Sequence, residues 1–117
     1  MRVYDNDKPL LEQDPTGREA HEPGAKLDSG KVQASLLSDF SLALLEVAKV
    51  STYGAQKYSR GGWQHVPEGV DRYNDAKWRH SLKERHESHD SESGLLHAAH
   101  EAWNCLARLE LMLRDQN

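Results

Sequence analysis

The 117-residue sequence has no isoleucine, one phenylalanine, two methionines and one cysteine. Without isoleucine, and without any alternating run rich in valine and threonine, no segment carries the period of a strand. Cys105 on its own excludes an internal disulfide and a cysteine-based zinc site, and it suits a reducing cytosol. No apolar run approaches the roughly 20 residues needed to cross a bilayer. Met1 to Lys8 is charged and holds no apolar stretch, so a secretory signal is not expected. Fifteen basic and nineteen acidic side chains leave a net charge of −4. Broad charge-driven binding to nucleic acid or to a membrane surface is therefore not expected, although a local basic pocket is compatible with that balance. Hydrophobic residues make up only 37% of the chain and its mean hydropathy is −0.85. That is little for a self-sufficient globule of one domain, and it predicts a core shared between subunits or a partly uncovered chain.

What the sequence does have is seven histidines, spread along its length. Residues 1–33 hold three prolines and three glycines with no helical or strand period, and read as an extended or flexible N-terminal arm. From Ser35 to Lys57 the pattern turns helical, with Ser35 or Ser38 as N-cap. This stretch is apolar over most of its circumference, which predicts a helix at the centre of a bundle. A polar Gly-containing loop precedes a second helix from Val70 to His86. After the connection 87–94, where Asp90, Ser91 or Ser93 could cap, a third helix runs from Leu95 to Leu113. Leu95, Ala98, Ala99, Ala102, Leu106, Leu109 and Leu113 form its apolar side, and Cys105 is expected to be buried and inert. The fold expected is all-α: a three-main-helix bundle over residues 34–117 whose core is completed by pairing with another copy, as a dimer or tetramer.

On the third helix His97, His100, Glu101, Asn104 and Arg108 recur every three or four residues and share one face. Imidazole nitrogen and carboxylate oxygen both bind divalent metals, so this stripe is either a solvated face or the wall of a polar site. Glu46 sits inside the most apolar helix, as a salt-bridged or solvated carboxylate, a metal ligand or a general base. Arg79 could grip a phosphate with its planar fork of donors, and His80 could act as acid, base or ligand. Lys26 and Lys31, among Gly24, Asp28 and Gly30, could meet an anion or form a linker; the P-loop spacing is missing. Tyr53, Tyr58, Trp63 and Trp103 offer flat faces for a base, or for packing.

Taken together, several segments resemble one family. They are Gly24–Lys31, Leu36-Leu37, Leu45–Val50, Tyr53–Tyr58 with Trp63, Arg79-His80, and Ser93–His100 ending at Asn104. This combination resembles the phage family of dATP/dGTP diphosphohydrolase N-terminal domains, over roughly residues 24–113. The resemblance implies a purine nucleotide as partner and a nucleotide-binding domain over 34–117. Some members are associated with conversion of dGTP to dGMP in phages that replace adenine. It also implies likeness to the all-α, MazG-like pyrophosphohydrolases, oligomers that bind Mg or Mn through acidic residues on facing helices. The familiar pair there is Glu-x-x-Glu facing Glu-x-x-Asp. Here Glu101 is followed by Asn104, and Glu46 by Lys49, which leaves fewer carboxylates for a hard metal cluster.

The expected reaction is metal-dependent hydrolysis of a purine (deoxy)nucleoside triphosphate to monophosphate and pyrophosphate. Glu46, Glu101, His97 and Asn104 would position Mg or Mn, with Glu46 and His80 as catalytic groups. Lys26, Lys31, Lys57, Arg79 and His100 would hold the nucleotide, and Trp63 or Tyr58 would stack on its base. The alternatives are a module that sequesters a nucleotide without cutting it, for example a host immune signal, and a purely structural helical protein. The expected location is the cytoplasm, that of the infected bacterium if a phage encodes the chain.

Overall fold

A computed structural model describes residues 12–115. The chain divides between Asp39 and Phe40 into two compact units. The described residues of the first begin with turns; the first eleven residues of the expected arm lie outside those described. Asp14 caps the first turn, its carboxylate accepting from the Thr16 and Arg18 backbone N–H groups at 3.1 Å each. Ser29 N–H donates to the Gln13 carbonyl at 2.9 Å, closing the segment on itself. Gly17, Gly24 and Gly30 take the left-handed φ that such turns require. Lys26 is exposed and Lys31 half-buried in this unit.

The second unit holds three α-helices: α1 (Ser41–Lys57), α2 (Gly69–Glu84) and α3 (His97–Arg114). This is the all-α architecture expected. Helix α1 starts later than its apolar pattern suggests, because Ala34–Phe40 winds as a 3-10 segment. Neither Ser35 nor Ser38 caps it; the N-cap is Phe40, with no side-chain hydrogen bond. A 3-10 turn, Gly62–His65, interrupts the first connection, and α2 follows Glu68, which takes a left-handed φ of 56°. The second connection folds back on itself. Asp90 N–H donates to the Leu95 carbonyl and His97 N–H to the Ser88 carbonyl, making an isolated antiparallel bridge between His89 and Leu96. Gly94 turns the corner with φ 74°.

Helix α2 packs along α3, and α1 rests more lightly on α3. Two expectations fail here. Helix α1 is not central: of its many apolar residues only Val50 is buried, while Leu42 and Leu45 are 81% and 62% exposed. On α3 the polar stripe walls a buried site, one of the two readings its spacing left open, while most of the apolar side is not buried. His97, Ala99, His100, Asn104 and Ala107 are buried, whereas Leu106 and Leu109 are exposed. Cys105 shares that outer side and is exposed, not buried. The physical reason is local. His97 and His100 find hydrogen-bond partners on α2 and the connection before α3, and Asn104 finds one on its own helix, which makes their burial tolerable.

What apolar packing there is centres on aromatic rings. Trp63, Tyr73 and Trp103 meet edge to face, with centroids 5.6–6.4 Å apart. Tyr73 Oη–H donates to the Trp63 carbonyl at 2.6 Å, and Trp103 Nε1–H donates to Ser51 Oγ at 2.7 Å. The second bond ties α1 to α3. No helix among the described residues is long and apolar enough to cross a membrane.

Candidate functional site

Three helices and one connection converge on a group of imidazoles. His97 opens α3 and is completely buried. Its backbone N–H is fixed on Ser88, and its ring is gripped at both nitrogens: Nε2 lies 2.9 Å from Glu87 Oε1, and Nδ1 lies 2.9 Å from Nδ1 of His80 on α2. A carboxylate can only accept, so His97 Nε2 carries the hydrogen. In the neutral ring, Nδ1 then presents its lone pair toward His80. The 2.9 Å between the two facing nitrogens is that of one hydrogen bond, which His80 Nδ1–H donates to His97 Nδ1.

Asp90 supplies an oxygen to the same place. His80, Asp90 and His97 each offer one ligand atom, all within 4.8 Å of one another. Ligands bound about 2.0–2.2 Å from one ion stand roughly 3–4 Å apart, so this set fits a metal after small adjustment. Asp90 is held by a turn in which its Oδ2 accepts the Ser93 backbone N–H at 2.8 Å. Burial pushes the Asp90 carboxyl up, but the Ser93 N–H and hydroxyl and the facing His100 outweigh it, and the net shift is downward. Asp90 therefore stays an anion.

His100, one turn along α3, completes the group. Its Nε2 lies 2.7 Å from Ser93 Oγ and 3.9 Å from Asp90 Oδ2. Its ring stacks on His80 with centroids 4.4 Å apart and planes 7° from parallel. Tyr53 of α1 sets its edge against His100 at 6.2 Å. Burial first, then the neighbouring His100 and His97, push the His80 pKa down to about 4. Burial likewise lowers His100, against the pull of Asp90. Both rings are neutral at pH 7, as ligands and proton acceptors must be.

Beside this group runs an open groove of about 670 Å³ along α1, walled by Leu45, Glu46, Lys49, Tyr53, Gln56 and Ser93 among others. That size suits a nucleotide-scale ligand. At its end Tyr53 Oη–H donates to Glu92 Oε1 at 2.7 Å, and Lys57 Nζ donates to the same oxygen. The two donors hold the Glu92 carboxyl below its usual range, and Glu92 raises Lys57.

Of the residues expected from the sequence, His97 and His80 are brought together, and Asp90 joins them. Glu46 and Glu101 do not enter that set. Glu46 pairs with Lys49 at 2.6 Å on the groove wall, and Glu101 is half-buried on α3. Asn104 is buried and donates from Nδ2 to the His100 carbonyl at 2.8 Å, within its own helix. Arg79 is exposed on α2, next to His80 in sequence. Tyr58 is exposed with the Lys57 ammonium over its ring, while Trp63 is built into the aromatic cluster. Sequence reasoning passed over Asp90 as a ligand, along with Glu87, Ser93 and Glu92. The available signal was Asp90-Ser91-Glu92-Ser93-Gly94, an Asp set ahead of a Ser-Gly turn and closely followed by His97 and His100.

The family described as dATP/dGTP diphosphohydrolase, N-terminal, matches residues 21–117. A protein of Salmonella phage PMBT28 described as dATP/dGTP diphosphohydrolase is 44% identical over 80 residues, which is 68% of this chain and 26% of that protein. The chain thus spans about a quarter of that relative's length. No solved structure matches. The match over the whole second unit, including the segments that carry His80, Asp90, His97 and His100, places this chain in the family of dATP/dGTP diphosphohydrolase N-terminal domains.

Proposed function

We propose that the chain hydrolyses a purine (deoxy)nucleoside triphosphate, of the dGTP and dATP class, to the monophosphate and pyrophosphate with the help of a divalent metal. The observation that supports this most is the convergence of His80, Asp90 and His97 beside an open groove of nucleotide size. The substrate class comes from the name of the phage relative. In the reaction a water oxygen bonds to the α-phosphorus, the bond from that phosphorus to the bridging oxygen breaks, and pyrophosphate leaves with the electron pair. A divalent ion, held by His80, Asp90 and His97, would supply neutralisation of phosphate charge and a more acidic water.

The chain's own residues take the remaining roles. His100 Nε2 holds the proton that the water gives up, reached directly or through the Ser93 hydroxyl, and Asp90 stabilises the imidazolium so formed. Lys57, shared with Glu92 in the free protein, exchanges that carboxylate for a phosphate oxygen. Glu46 and Lys49 line the groove in which the nucleoside lies, and Tyr53 presents ring surface there.

A chromatographic product assay tests the reading. Each common NTP and dNTP would be incubated with the protein in Mg, Mn, Zn or EDTA. Monophosphate and pyrophosphate in equal amounts, appearing only with metal and fastest with dGTP or dATP, is the expected result. Intact nucleotides under every condition would overturn hydrolysis and leave nucleotide capture as the reading to pursue by binding measurements.

A further inference from the structure

The donor atoms at the convergence point say more about the metal than the family's usual acidic motif does. We propose that His80, Asp90 and His97, with Glu87 behind His97, form a centre selective for a borderline transition dication of the zinc and cobalt(II) class over magnesium. The proposal deepens the reading above by naming the ion of that same site.

Four observations carry it. The set provides two imidazole nitrogens and one carboxylate oxygen. Magnesium is a hard ion that prefers oxygen and sheds water reluctantly, whereas imidazole suits zinc and its neighbours. Next, the Nδ1 atoms of His80 and His97 lie 2.9 Å apart and share one hydrogen, whose place a cation bound by both rings would take. Third, Glu87 takes the Nε2–H of His97 at 2.9 Å. A carboxylate behind a histidine fixes the tautomer that leaves the other nitrogen free to ligate and makes it more basic, the usual companion of a metal-bound imidazole. Last, each ligand is held in place by its surroundings. His97 is fully buried with its backbone N–H on Ser88, Asp90 is locked by Ser93, and His80 is stacked on His100. Nearby carboxylates that could make a hard, multi-oxygen site are otherwise engaged, Glu92 with Tyr53 and Lys57 and Glu46 with Lys49. Three protein ligands also leave coordination positions for substrate and water.

The test uses the full chain, stripped with a chelator and dialysed separately against Zn, Co(II), Mn and Mg, with no nucleotide present. Metal content by mass spectrometry and the visible absorption of the cobalt form are the readouts. We expect about one Zn or Co retained per chain, a cobalt spectrum of nitrogen-containing coordination, and retention in the order Zn, Co, Mn, Mg. Asp90→Asn and His80→Gln should weaken Co binding at least tenfold. Glu87→Gln, a change at a half-exposed positioning residue that touches no ligand atom directly, should weaken it about 10- to 100-fold, with Glu87→Asp recovering part of the loss. His65→Ala, on the 3-10 turn, should bind as the parent does. Circular dichroism of each variant separates lost binding from lost folding, and Glu87→Gln keeps the test decisive where a ligand variant unfolds. No retained ion, equal retention of Mg, or full cobalt binding by a folded Asp90→Asn would overturn the proposal. Turnover with Mg alone and no Zn or Co retention would sink this inference and leave the hydrolysis reading intact. Retention without turnover would do the reverse.

Discussion

The attachment of α1 rests on few contacts, and Trp103 carries one that can be measured. Its Nε1–H donates to Ser51 Oγ at 2.7 Å, and its ring meets Tyr73 and Trp63 edge to face at 5.6 and 6.0 Å. Trp103→Phe keeps an aromatic ring but deletes the indole N–H and the outer ring. The lost hydrogen bond is worth about 1 kcal/mol, and the lost edge contacts about 1 kcal/mol more. A loss of roughly 2 kcal/mol in a unit of this size lowers the melting temperature by roughly 8–16 °C. Ser51→Ala removes only the acceptor, and because Ser51 is exposed the indole N–H regains water, so its cost is about 1 kcal/mol or less. The two changes combined should cost less than their sum by about 0.5–1 kcal/mol, since each breaks the same bond. Urea unfolding of the parent, both single variants and the double variant, followed by far-UV circular dichroism, gives the coupling directly. Strictly additive losses would show that the bond contributes nothing to the docking of α1, and the account of how that helix is held would be wrong.

Three further predictions follow from particular residues. In metal-free protein, His80 titrates near 4 and His100 is also lowered, while in the unfolded chain both take protons near 6.5, so the unfolded state binds more protons in between. The stability they contribute is fully present above about pH 6.5 and drains away toward pH 4; His80→Gln should flatten the melting temperature against pH in that window, and an unchanged slope would contradict the assignment. Asn104→Ala should leave metal retention intact and cost about 1 kcal/mol or less, because the side chain bonds its own helix carbonyl, whereas Asp90→Asn should lose the metal; the opposite pattern in equilibrium dialysis would restore Asn104 as a ligand. Leu106 and Leu109 point outward from α3, and we expect the chain to self-associate through this side, with Leu106→Glu or Leu109→Glu shifting the mass seen by light scattering toward the 13.3 kDa of one chain. A parent that is monomeric at every concentration would refute that expectation.

The three helices were legible because their apolar and polar residues recur at helical spacing, and the breaks fall at Gly61-Gly62, Pro67 and Ser93-Gly94. The polar stripe on α3 was legible for the same reason, and it holds two of the four imidazole-group residues, His97 and His100. Which side of α3 faces inward was not. Periodicity ranks faces by apolarity, and here His97 and His100 are buried because α2 and the connection supply their partners. Asp90 was not legible as a ligand because its position depends on a turn that brings residues of a polar, pattern-free stretch back over the start of α3. The N-terminus of α1 misled for a related reason: a 3-10 segment shares the apolar content of the helix it leads into, and only its hydrogen bonding differs.

The compactness of the imidazole group along the chain has a consequence for the order of folding. His80 and His97 are 17 residues apart, and the whole group lies within residues 80–100. Bonds to α1 span 39 residues from Tyr53 to Glu92 and 52 from Ser51 to Trp103. Closing the longer loop costs roughly 1 kcal/mol more in chain entropy than closing the shorter. The helical hairpin of α2 and α3 can therefore assemble with its histidines in register before α1 arrives. An ion captured by that hairpin would act as a nucleus for the rest of the unit, so that α1, with the groove it walls, is the last part to close and the first to open.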